Sequence, residues 1–140
     1  MFWIGLVVRL RDVEDVSKLT PAMQQYANLK KNNESSLLFF RMGDFYELFF
    51  DDAIITAKEL NITLTKRGKV LNESIPMCGI PFHAANNYVP KLVKKGFEIA
   101  ICEQTISPEE MSLKGIKGPL TREVTRIITP GTLIEENHLE

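Results

Sequence analysis

Four carboxylates and a run of aromatic rings share one short stretch of this chain. Asp44, Glu47, Asp51 and Asp52 are interleaved with Phe45, Tyr46, Phe49 and Phe50. Two kinds of chemistry could use that mixture. Clustered carboxylates can hold divalent metal ions for hydrolysis, as in a metal-dependent, nuclease-like α/β domain. Against that use, Asp51 and Asp52 stand where a helix start favours acidic residues, and no Lys completes a hydrolytic constellation with them. The other use is recognition. Alternate side chains of an extended segment share a face, so Phe45, Glu47 and Phe49 point one way and Tyr46, Leu48 and Phe50 the other. A charged Glu47 beside Phe45 marks either a solvated face or a contact for something that takes both an aromatic wedge and a hydrogen-bond acceptor.

The remaining candidates carry less. Lys66, Arg67 and Lys69 form the densest positive cluster with no intervening acid. Composition alone reads it as a solvated loop; the functional alternative is contact with nucleic-acid phosphates, which positions a protein without reading sequence. His83 and His138 stand without partners at metal-ligand spacing, and His83 reads as structural near a helix start. Cys102, at a strand end beside Glu103, lacks a His in a nucleophile arrangement. Gly115-Ile116-Lys117-Gly118-Pro119 has neither the spacing nor the Lys-Ser/Thr ending of a phosphate-binding loop, so no nucleotide-hydrolysis site is visible. No catalytic residue and no metal ligand is assigned.

Elements to position these residues follow from the pattern. Leu37 to Met42 and Phe45 to Phe50, joined by Gly43-Asp44, predict strand, turn and strand. Before them, Thr20 as N-cap and Pro21 at the first helical position start a helix through Lys31. After them, Asp51-Asp52 cap a second helix over Ala53 to Leu60, stopped by Asn61. Ile62 to Thr65 is a short strand, Lys66 to Lys69 a basic loop and Val70 to Ser74 a polar connection. Ile75 to Phe82, with Pro76, Pro81 and Gly79, reads as an extended rigid segment rather than a central strand. His83 to Lys95 is a third helix interrupted by Pro90 and closed by Gly96. Phe97 to Cys102 is a strand, residues 105–119 a loop, and Leu120 to Ile128 a strand with Val124, Arg126 and Ile128 on one side. Thr129-Pro130-Gly131 is a turn.

The expected fold is therefore a single α/β domain, a mixed β-sheet flanked by about three helices. Residues 1–18 form an extension of unassigned role, 19–130 the domain and 131–140 a polar tail. With 140 residues, 44% hydrophobic, the chain suffices for one core. The net charge of -1 does not announce a nucleic-acid binder and does not exclude one, because distribution outweighs the sum. Cys78 and Cys102 are read as reduced and at least partly buried, with an intracellular setting. No apolar run approaches the length of a membrane span.

For Phe45 the plain reading is core packing; the functional reading is a wedge. Apolar side chains pushed between base steps unstack and kink a duplex. Unstacking costs least at a mismatched or damaged base, so a single ring can succeed at a defect and fail on sound duplex. Glu47 is unfavourable near phosphates and becomes useful only against a base edge that the defect exposes.

Arg41-Met42-Gly43-Asp44-Phe45-Tyr46-Glu47-Leu48-Phe49, followed by Asp51-Asp52-Ala53, closely resembles the signature of the MutS family of bacterial DNA mismatch-repair proteins. The likeness runs in order through Thr20 to Tyr26, Leu64 to Gly68, Pro76 to Ala84, Ala100 to Gln104 and Val124 to Thr132. It is to the amino-terminal, mismatch-recognition domain. The resemblance implies that Phe45 stacks on a mispaired base, that Glu47 hydrogen-bonds it, that Lys66 and Arg67 touch the DNA backbone, and that Met77 lies close to the lesion. It implies double-stranded DNA with mismatches or small loops as partner, no catalysis and no cofactor in this domain, and a cytoplasmic, nucleoid-associated setting. For the full-length family it implies a connector after the tail, ATP and magnesium, dimers and recruited repair proteins.

Overall fold

The computed structural model describes residues 9–10, 13, 15–70 and 73–133. Six strands form one mixed sheet: β1 (Ser36–Met42), β2 (Phe45–Phe49), β3 (Thr65–Val70), β4 (Glu73–Pro81), β5 (Glu98–Gln104) and β6 (Arg122–Ile128). Their spatial order is β3-β4-β2-β1-β5-β6. Only β1 and β5 run parallel; the other neighbours are antiparallel. The helices fully within the described residues are α1 (Pro21–Lys31), α2 (Phe50–Leu60), α3 (Ala85–Lys94) and α4 (Pro108–Leu113).

Strand alternation divides the apolar residues between two cores. Leu37, Phe39, Tyr46, Leu48, Cys78, Ile80, Ile99, Ile101 and Ile128 face α2 and α3. Leu38, Phe40, Phe49, Ile75, Ala100 and Cys102 face α1, which contributes Met23, Tyr26 and Ala27. The Tyr26 ring meets Phe40 and Phe49 edge-on, with centroids 5.6 and 5.0 Å away, the arrangement favoured by the ring quadrupoles. Val13 and Leu19 close the same core, with Leu10 and Val16 at its margin. Part of the 1–18 extension is thus docked, because its apolar residues Leu10, Val13 and Val16, spaced three apart, pack on the core that α1 covers.

Several expectations need correction. Lys66 to Lys69 is not a loop but part of edge strand β3, where a register shift between Lys66 and Lys69 accommodates the turn-like residues; Gly68 takes φ +63° there. Ile75 to Pro81 is an interior strand, bonded to β2 on one side and β3 on the other. Its prolines are tolerated because β2 pairs only from Met77 to Pro81. Pro76 lies just past the end of that ladder and Pro81 at its other limit. Residues 105–119 contain α4, capped by the Ser107 hydroxyl, which accepts from Glu110 N at 3.0 Å. The turn expected at Thr129-Pro130-Gly131 is helical from Pro130, with the Thr129 hydroxyl accepting from Thr132 N at 3.1 Å.

Asp51 and Asp52 lie inside the first turn of α2 instead of before it. The chain passes from β2 into α2 through Phe50 at φ +55°, a conformation bulky residues rarely adopt and one that costs on the order of 1–3 kcal/mol. Burial of the Phe50 ring, which is 2% exposed, offsets a similar amount. Asp52 reaches inward. Its carboxylate accepts from Leu38 N at 2.9 Å, from Lys30 Nζ at 3.0 Å and from the Tyr26 hydroxyl at 3.4 Å. Asp52→Ala leaves the Leu38 amide without its partner and the part-buried Lys30 ammonium without its counter-charge, and is expected to destabilise the domain by about 3 kcal/mol. Asp51→Ala, on the exposed side of the same turn, is expected to cost less than about 1 kcal/mol. Urea denaturation of the two variants measures both.

Candidate nucleic-acid interface

α1 covers the Phe49 half of its sheet face and stops short of the Phe45 half. Along β2 the burial then grades from Phe49, which is enclosed, through Glu47, half-buried, to Phe45, 44% exposed. The Gly43-Asp44 hairpin ends that side of the sheet, with Gly43 at φ +60° supplying the conformation the tight turn requires. Of the phenylalanines in β1, β2 and the start of α2, only Phe45 stands in solvent; Phe39, Phe40, Phe49 and Phe50 are interior.

The neighbouring strand makes room for the ring. On β4, Pro81 is in register with Phe45, Gly79 with Glu47 and Met77 with Phe49. A Cβ at Gly79 would lie 3.4 Å from Phe45 Cδ2. The aromatic ring therefore leans over bare backbone. Met77 is half-buried on the same face, at the margin of the α1 core.

Glu47 is held from the other side of β4. Arg67 Nη1 donates to Glu47 Oε1 at 2.9 Å. Burial pushes the Glu47 carboxyl above its ordinary value, against the pull of Arg67 and Arg122. Lys66 of β3 is exposed and, paired with Pro76 of β4, falls on the opposite face by strand alternation. Thus Phe45, Glu47, Arg67 and Met77 share one face, and Lys66 does not join them. The Lys69 side chain lies outside the described residues.

Arg122 is the residue that sequence reasoning missed. Its guanidinium donates to Arg41 O at 2.6 Å, Leu120 O at 3.1 Å and Gln25 Oε1 at 3.3 Å, and lies 4.4 Å from the Phe40 ring centroid. A bulge in β6 puts it there. Cys102 pairs with Val124 but Ile101 with Arg126, so Thr125 is extra. Val124 consequently packs on the α1 side and Ile128 on the other, contrary to the simple alternation expected of them. No local signal in the sequence marks that bulge.

The carboxylates do not converge. Asp52 is engaged by Lys30 and Leu38, Glu47 by Arg67, and Glu103 by Arg41 and the Tyr46 hydroxyl. Among the described residues no group of three or more His, Cys, Asp or Glu side chains could hold a metal ion. His83 is exposed in the short 3-10 turn before α3; His138 lies outside the described residues. Cys78 and Cys102 are free and buried, and desolvation pushes both thiols up to about 12. Among the described residues no helix is long and apolar enough to cross a membrane.

Two outcomes follow from this geometry. Gly79→Val is expected to keep the fold and turn the Phe45 ring off its seat, seen as loss of ring-to-Gly79-backbone contacts by NMR. Because the folded Glu47 carboxyl binds its proton more tightly than the unfolded one, its contribution to stability is complete in acid and is lost as pH rises through the folded value. Glu47→Gln should therefore gain stability relative to the native chain as the pH is raised above about 4, measured by thermal denaturation at several pH values.

A family model described as MutS domain I matches residues 20–137. The DNA mismatch repair protein MutS of Bartonella quintana (strain Toulouse) is 55% identical over 123 residues, covering 88% of this chain. The chain spans 14% of the length of that relative.

Proposed function

The chain belongs to the MutS family, matched through its domain I, and from that premise we propose that it binds duplex DNA at mismatches and small loops by wedging Phe45 beside the mispaired base. The observation that carries this reading is the exposed Phe45 ring. It stands out of the core on a strand whose other aromatic residues are enclosed, two positions from a carboxylate on the same face. An apolar ring of that size left in water is unfavourable for the domain alone, and stacking on a base recovers about 1–3 kcal/mol.

The selectivity comes from the DNA as much as from the protein. Inserting the ring requires the duplex to open and bend, and a defect lowers that cost without any contact being specific to its sequence. Glu47 supplies the hydrogen-bond acceptor for the base edge. Arg67 and Lys66 engage backbone phosphates on either side of the edge strand, and Met77 lies at the border of the contact. ATP hydrolysis with magnesium, dimer formation, recruitment of downstream repair proteins and a cytoplasmic, nucleoid-associated setting are proposed for the whole protein, not for these residues.

The test is Phe45→Ala in competition binding between mismatched and matched duplexes. The preference for the mismatch should fall by about tenfold or more, to near unity, with little change on matched DNA. A preference that survives the substitution removes the wedge. Binding by these 140 residues alone is expected to be weak and strongly salt-dependent, because one small face neutralises few phosphates.

A further inference from the structure

Two arginines act on the Glu47 carboxylate, and they differ in how they are held. Arg122 is fixed by three oxygen acceptors and by the Phe40 ring beneath it. Arg67 sits on edge strand β3 within the register shift, and its side chain is 45% exposed, whereas that of Glu47 is only 13% exposed. The acid end of the pair is thus largely enclosed, while the basic end reaches solvent.

We propose that Arg67 is a handover residue: in the free domain it masks the Glu47 carboxylate, and on DNA its guanidinium passes to a backbone phosphate, leaving Glu47 open to the mispaired base. The inference rests on the wedge reading of this face and adds an order of events to it. The masking has a reason. A bare carboxylate on a DNA-binding face repels every phosphate it meets, and pairing with Arg67 removes that penalty during encounter with sound duplex. A phosphate competes well for the arginine, because it accepts a bidentate pair and carries the field of the whole backbone. Arg122 stays behind as a weaker, fixed counter-charge, so Glu47 is not stranded when Arg67 leaves. The carboxyl already lies above its ordinary value through burial, and losing Arg67 raises it further.

The test combines NMR of this chain with a double-mutant cycle. In the free chain, Arg67→Gln should raise the midpoint of the Glu47 carboxyl 13C titration; an unmoved midpoint overturns the proposal. On adding duplex at millimolar concentration, the Arg67 Nε and Glu47 carboxyl resonances should both shift with matched and mismatched DNA alike, as the ion pair opens, and the Glu47 carboxyl resonance should shift further with mismatched DNA. An Arg67 signal indifferent to both duplexes overturns it too. The cycle is measured on matched duplex, where no base contact by Glu47 enters. Arg67→Gln should weaken binding at least about threefold more in the Glu47→Gln background than in the native one, because there the arginine reaches phosphate without first breaking its ion pair. It should also lower the salt slope by about one. Equal losses in both backgrounds refute the handover. Phe45→Ala on mismatched DNA reports separately: a surviving mismatch preference sinks the wedge, whereas an additive cycle with that preference abolished sinks only the handover.

Discussion

The buried carboxylate of Asp52 fixes what the rest of the interface depends on. It joins the start of α2 to the Leu38 amide of β1 and to the Tyr26 and Lys30 side chains of α1. That tie seats α1 over the Phe49 half of its sheet face. A helix of 11 residues spans only about 16 Å, so once it is placed there the other half of the face is left uncovered. The open half is where Phe45 and Glu47 stand. A polar group buried for structure thereby decides which apolar group stays outside.

The strand carrying those residues has to satisfy two demands that conflict. Tyr46 and Leu48 must fill the core against α2 and α3, while Phe45 and Glu47, alternating with them, must remain available. Period-two alternation meets both at once, provided the neighbouring strand offers no bulk at the crossing point. Gly79 supplies that gap. The price is a half-desolvated carboxylate whose neutral form the fold favours, a cost in stability at neutral pH of the kind functional sites commonly carry.

The features legible in the sequence were those encoded locally. The hairpin around Gly43-Asp44, the alternation of Phe45 and Glu47, the Thr20-Pro21 helix start and the Asn61 stop all depend on residues a few positions apart. The helix Pro108–Leu113 was equally encoded, since Ser107, Pro108 and Glu110 form a helix-start pattern, but the glycines and proline that follow it suggested a loop over the whole segment. The interior placement of Ile75 to Pro81 was hidden for a different reason. Whether a proline breaks a ladder depends on where the partner strand ends, and that is a long-range property. The same holds for the Arg67–Glu47 pair, which joins residues across β4, and for the β6 bulge that aims Arg122.

The two cysteines have a consequence of their own. Cys78 belongs to the core under α2 and α3 and Cys102 to the core under α1, so the sheet itself stands between them. With both thiols raised to about 12, only about one in 100,000 is ionised at neutral pH, and the thiolate is the form that peroxides and electrophiles attack. Both thiols are in that sense poor targets for such reagents, each shut on its own side of the sheet.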